Sequence, residues 1–131
     1  MSTTTCRWGI LGAAFIARKN WQAIREAGNA MLVAVASRDL NRAQAFIDEC
    51  QAQVPHPIVP QAMDSYEALL ARRDIDAVYI PLPTGIRKEW VIHAAQAGKH
   101  VLVEKPVGCE LNDVAEMVAA CEKHGVQFMD G

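Results

Sequence analysis

Apolar residues along this chain come in two alternating rhythms. Short continuous apolar runs predict strands buried on both faces, while stretches with apolar residues three and four apart predict amphipathic helices. Arg7 to Leu11 reads as a short buried strand running into the turn Gly12-Ala13-Ala14-Phe15-Ile16. Ala17, Trp21, Ile24 and Ala27 then repeat at helical spacing, with Gly28 as the stop. Met31 to Ala36 is a second strand, apolar on both faces, as in a parallel sheet covered by helices. Asp39 stands as N-cap before the helical set Leu40, Ala43, Phe46, Ile47 and Cys50.

The segment Val54-Pro55-His56-Pro57-Ile58-Val59-Pro60 predicts a short third strand, which its prolines confine to a sheet edge. Asp64 and Glu67 have capping-box spacing before a short helix, with Asp64 as the cap. Ala77 to Ile80 is a fourth strand. Ile86, Trp90, Ala94 and Ala97 mark a helix that stops at Gly98. A fifth strand spans His100 to Glu104. Val114, Met117, Val118 and Cys121 mark a helix ended by Gly125, and Val126 to Met129 form a sixth strand.

Six strands alternating with helices predict an α/β, doubly wound parallel sheet of the Rossmann type, with strand order 3-2-1-4-5-6. The 131 residues suit one domain, with an ordered core from about residue 6 to about residue 130.

Composition narrows the function classes. The chain is 51% hydrophobic and 21% charged, ordinary for a globular domain. Its net charge is -2 with no basic block, which argues against nucleic acid as a partner, so an anion must be held by a helix end or by a few placed cations. Cys6, Cys50, Cys109 and Cys121 form no Cys-x-x-Cys pair and read as reduced, mostly buried thiols. The first residues lack the pattern of a signal peptide, and no apolar run is long enough to span a bilayer, so a cytoplasmic location is expected. His56, His93 and His124 pair with no carboxylates at ligand spacing, and no metal site is expected.

The candidate chemistry lies where the strands end. A turn that leads from a buried strand into a helix presents backbone N–H groups to a pyrophosphate. Against the Gly-x-Gly-x-x-Gly/Ala fingerprint, Gly12 is in place, Ala17 fills the permitted third place, and Ala14 stands where the second Gly belongs. Its methyl group is expected to push the ligand outward. After the second strand, Ser37-Arg38 offers a hydroxyl and a guanidinium fork suited to a 2′-phosphate, and Arg42 adds charge one helical turn on. An NAD-binding site would carry an acid here for the ribose; Asp39 is explained by its capping role, so NADP is favoured and NAD is the alternative. The stiff loop Pro81-Leu82-Pro83-Thr84 follows the fourth strand, at the place where a cofactor would lie. Glu104-Lys105-Pro106 follows the fifth. An amine there can hold a substrate hydroxyl as it becomes a carbonyl.

Val101 to Pro106, preceded by Ala94-Ala95-Gln96-Ala97-Gly98-Lys99-His100, resembles the Glu-Lys-Pro signature of the Gfo/Idh/MocA oxidoreductases. Tyr79 to Thr84 is similar to the same family's fourth-strand loop. The opening turn resembles the branch that holds dimeric dihydrodiol dehydrogenase and NADP-dependent xylose dehydrogenase. The resemblance implies that Gly12, Ala13, Ala14, Phe15 and Ile16 carry the pyrophosphate, and that Ser37 and Arg38 sit by the adenosine ribose. It further implies that Pro81, Leu82, Pro83 and Thr84 line the cofactor, and that Glu104 and Lys105 lie near the nicotinamide. Lys105 would contact the reacting hydroxyl, and the Lys105–Pro106 bond is often cis in this family.

Two features depart from the family pattern. Arg87 stands where many members have His. The family's second domain, which supplies substrate contacts, a further acid/base group and the oligomer interface, has no counterpart in these residues. The expected function is therefore the cofactor-binding half of an NADP-dependent oxidoreductase. It would act on a hydroxyl-bearing carbon of a sugar, polyol or dihydrodiol, and the full-length enzyme would be a homo-oligomer. The chain alone is expected to bind nucleotide and turn over poorly. The alternative is a non-catalytic nucleotide-binding module or redox sensor.

Overall fold

The structure, a computed structural model, describes residues 4–104 and 111–130. The elements run β1 (Cys6–Leu11), α1 (Ala17–Glu26), β2 (Ala30–Ala36), α2 (Leu40–Gln53), β3 (Gln61–Met63) and α3 (Tyr66–Leu70). They continue with β4 (Ala77–Ile80), α4 (Thr84–Gln96), β5 (His100–Val103), α5 (Leu111–Lys123) and β6 (Phe128–Asp130). All strand pairs are parallel and the order is β3-β2-β1-β4-β5-β6, the doubly wound order that the sequence predicts.

Two apolar layers hold helices to the sheet. On one face Ile10, Leu32 and Val35 pack with Trp21 and Ile24 of α1 and with Phe46 and Ile47 of α2. On the other, Val78, Ile80, Val101 and Val103 pack with Leu69, Trp90, Val91 and Met117. Burial of such side chains contributes roughly 1.5–3 kcal/mol each. At the amino ends of the strands, the guanidinium of Arg7 grips both carboxylate oxygens of Asp76. Nearby, the buried ammonium of Lys99 donates to the carbonyl of Ile75 at 2.6 Å.

Three sequence expectations need correction. The third strand is Gln61–Met63, after the prolines and not across residues 54–60. Pro55, Pro57 and Pro60 have no N–H to give a ladder. Side chains satisfy the segment instead: Trp21 Nε1 donates to Val54 O at 2.8 Å, Arg25 Nε to Pro55 O at 2.7 Å, and Gln51 bonds both the N–H and the carbonyl of His56. His56 is buried, with its ring edge-on to Trp21 at 4.6 Å. The strand still lies at the sheet edge, as expected.

The cap of α3 is Ser65, not Asp64: Ser65 Oγ accepts from Ala68 N at 3.1 Å. Burial of Tyr66, Leu69 and Leu70 sets the phase of this helix and moves its start by one residue. The last strand begins at Phe128, two residues later than expected, because Val126 N is used to close the end of α5 by donating to Cys121 O. Asp39 caps α2 as predicted, accepting from Asn41 N at 2.9 Å. Cys6, Cys50 and Cys121 are free thiols, the latter two buried; Cys109 lies outside the described residues.

Candidate functional site

The carboxyl ends of β1, β2 and β4 converge on a cleft of about 220 Å³. Gly12, Ala13 and Ala14 form one wall, Ser37 and Arg42 a second, and Pro81, Leu82 and Pro83 a third. These three stretches, far apart in sequence, are among those singled out for cofactor binding; Phe15, Ile16, Arg38, Thr84 and Glu104 are not among the residues that line the cleft. Strand order explains the convergence: β1 lies between β2 and β4, so the loops leaving all three share one rim.

The first wall has a defined backbone shape. Gly12 donates to Ala36 O at 2.8 Å, which ties the turn to the end of β2. Its φ is +114°, a conformation side chains rarely adopt, and a Cβ here would lie 2.9 Å from Leu82 Cδ2. The Ala17, Arg18 and Lys19 amides bond back to the carbonyls of Ala14, Phe15 and Ile16. Among the described residues, the N–H groups of Ala13 to Ile16 make no such bonds. The free donors thus sit in the turn itself, before the first turn of α1, and no side chain caps that helix. Phe15 and Ile16 are exposed, and Arg18 stacks on the Phe15 ring at 4.6 Å.

The second wall is polar and positive. Ser37 is buried, and its Oγ accepts from Asp39 N at 3.4 Å. The Asp39 carboxylate turns to Asn41 N as helix cap. Arg38 is exposed just beyond Ser37. Tyr66, which the sequence reading missed, also lines the cleft. Burial pushes its phenol pKa up, and the positive charges of Arg38 and Arg42 oppose that rise.

The third wall continues into β5. Thr84 is the first residue of α4. Glu104 follows β5, and its carboxylate accepts a hydrogen bond from the hydroxyl of Tyr79 on β4. Burial, then the bond to Glu104, raises the Tyr79 pKa far above its ordinary value. Arg87, another residue given no role by the sequence reading, is buried and donates to Leu82 O at 2.5 Å and to Glu104 O at 2.7 Å. A signal for it was present: Arg87 shares the buried face of α4 with Trp90, Val91, Ala94 and Ala95, where a charge is out of pattern. Lys105 lies outside the described residues.

A larger hollow of about 320 Å³ lies on the sheet face beside α1, lined by Trp8, Asn20, Tyr79 and Leu102 among others. It contains none of the residues assigned to the cofactor by the sequence. Among the described residues no group of His, Cys, Asp and Glu could hold a metal ion, and no helix is long and apolar enough to cross a membrane.

The sequence profile of an oxidoreductase family with an NAD-binding Rossmann fold matches residues 6–131. The chain belongs to the Gfo/Idh/MocA oxidoreductase family. It is 43% identical over 123 residues to D-xylose 1-dehydrogenase (NADP(+)) 2 of Haloferax volcanii, covering 94% of this chain and 36% of that protein. It is 36% identical over 126 residues to trans-1,2-dihydrobenzene-1,2-diol dehydrogenase of Mus musculus, covering 95% and 36%. Among solved structures, a 3-ketoreductase from Actinomadura kijaniata in complex with NADP superposes with a TM-score of 0.85 at 33% identity, over 97% of this chain and 38% of that one. The chain therefore spans little more than a third of the length of these relatives. In this Gfo/Idh/MocA domain the cleft at the carboxyl rim is formed by the Gly12–Ala14 turn, the Ser37–Arg42 stretch and the Pro81–Pro83 loop.

Proposed function

We propose that this domain binds NADP(H) for an oxidoreductase that moves a hydride to or from a hydroxyl-bearing carbon of a sugar, polyol or dihydrodiol. The observation that carries the cofactor choice is the second wall. Asp39, the acid that follows Ser37-Arg38, is committed to capping α2, while Ser37 and Arg42 line the cleft with Arg38 beside them in sequence. An acid free to hold a ribose diol would favour NAD; a hydroxyl with two guanidiniums favours a 2′-phosphate. The NADP-dependent xylose enzyme and the NADP-bound 3-ketoreductase support the same choice.

The residues fit the group. The N–H donors of residues 13–16 suit the pyrophosphate, and Gly12 keeps the turn close to Leu82 where a Cβ would collide. Phe15 and Ile16 flank that turn, and Pro81 to Thr84 wall the cofactor on the other side. When bound, the cofactor supplies the hydride donor or acceptor at its nicotinamide. Glu104 is assigned to the nicotinamide side, steadied by Tyr79. Lys105 is assigned on sequence resemblance: its Nζ holds the substrate hydroxyl and shares its proton as the carbon–oxygen bond changes order.

Substrate contacts and a homo-oligomer interface are assigned to chain outside this domain, in keeping with the length of the relatives. The free thiols fit a reducing compartment, and we assign the protein to the cytoplasm. The cofactor choice is tested by loading the chain with NADPH and displacing it, followed by NADPH fluorescence. Adenosine 2′,5′-bisphosphate should displace it and adenosine 5′-monophosphate should not; equal displacement by both contradicts the reading. In a chain that includes the substrate domain, Lys105→Met should abolish turnover and keep NADPH affinity. A nucleotide-binding module without catalysis would show no turnover to lose.

A further inference from the structure

We propose that Arg87 is a positioning residue that fixes the cofactor-lining Pro81–Pro83 loop and the end of β5, assigned to the nicotinamide side, relative to each other. This rests on the cofactor reading above. The β4–β5 ladder runs in register as far as Ile80 opposite Val103. Beyond it, the Glu104 N to Ile80 O distance has already stretched to 3.4 Å. The ladder ends there, with β4 closing at Ile80 and β5 at Val103. The chain segments part there, and their carbonyls need other donors.

Arg87 supplies them. From the buried face of α4 its Nε reaches Leu82 O and its Nη1 reaches Glu104 O, so one planar guanidinium spans the split. A buried cation among Trp90, Val91 and Ala94 is costly unless well paired. Here it joins the loop that packs against Gly12 to the residue whose carboxylate Tyr79 holds. Lysine, with a compact ammonium in place of a fork, cannot reproduce both bonds in one fixed plane. The consequence is selective: the nicotinamide half of the cofactor depends on Arg87, while the adenosine half, at Ser37 and Arg42, does not.

The test compares two ligands on this chain and its Arg87→Lys and Arg87→Gln variants by calorimetry. NADPH probes both halves of the site; adenosine 2′,5′-bisphosphate probes the adenosine half. The expected result is a Kd for NADPH raised about tenfold or more, with the bisphosphate Kd changed less than about twofold. Equal weakening of both ligands, or unchanged NADPH binding, overturns the role of Arg87 while the cofactor reading stands. A wild-type chain that binds neither ligand overturns both. The wild-type chain also carries a direct readout if the variants fail to fold. The Arg87 Nε–H resonance should shift on adding NADPH and stay in place on adding the bisphosphate; the same response to both ligands overturns the proposal.

Discussion

The hydroxyl of Tyr79 donates a hydrogen bond to Glu104 Oε2, linking the buried middle of the sheet to the rim of the candidate site. Burial first, and the carboxylate second, keep this phenol protonated well above its ordinary range. In the unfolded chain a tyrosine titrates near pH ~10. Above that pH the unfolded state loses a proton that the folded state keeps, so folding stability falls as pH rises. Stability should therefore be flat in this respect below about pH 10 and decline above it, by up to about 1.4 kcal/mol per pH unit. Tyr66, also raised, adds to the same limb. Tyr79→Phe should lose about 1 kcal/mol at neutral pH and show a shallower alkaline decline, both read by urea denaturation.

Gly12→Ala should disable the cleft. The new methyl meets Leu82 Cδ2, and the backbone at φ +114° is strained for any side chain. A loss of about 1–3 kcal/mol in stability is expected, with NADPH binding reduced more than the stability change alone explains. Thermal denaturation with and without NADPH measures both: the ligand-induced rise in Tm should vanish in the variant.

Arg38 and Arg42 should set cofactor preference. Replacing both with Ala should weaken NADPH on the order of tenfold per arginine, because each removes a charge-assisted contact with the 2′-phosphate. NADH affinity should change little. Titration of each cofactor against the double variant gives the ratio directly, and raising the salt concentration should erode the wild-type preference.

His56 should give the protein an acid-sensitive limb far from the site. Burial is the main cause of its lowered pKa; the Trp21 carbonyl opposes that shift and Arg25 adds to it. Below about pH 6.5 the unfolded histidine takes up a proton before the folded one does, so stability falls as pH drops. The lowered pKa values of Asp74 and Asp76, each held down chiefly by its arginine partner, act in a separate window below about pH 4. His56→Gln should flatten the upper limb and leave the lower one, as denaturation at stepped pH would record.

The sheet was readable because Met31–Ala36 and Ala77–Ile80 are unbroken apolar runs closed by recognisable stops, so strand count, order and layer followed from pattern alone. The third strand was not. In residues 54–60 the apolar pattern competes with three prolines, and the side chains of Trp21, Arg25 and Gln51 take the bonds a ladder would have made. At the cleft, Gly12, Ser37 and Leu82 were legible because each follows a strand that ends on the same rim. Tyr66 and Arg87 were not, since their roles depend on how α3 and α4 pack against loops distant in sequence. Arg87 showed only as a charge on an apolar helix face, and the sequence does not say which carbonyls it will meet.

Binding of the 2′-phosphate is tested by the pair of dissociation constants for NADPH and NADH on the wild-type chain, taken in one buffer by fluorescence titration. NADPH should bind at least about tenfold more tightly than NADH, a difference of about 1.4 kcal/mol or more. Equal affinities, tighter binding of NADH, or no binding of either cofactor would contradict it.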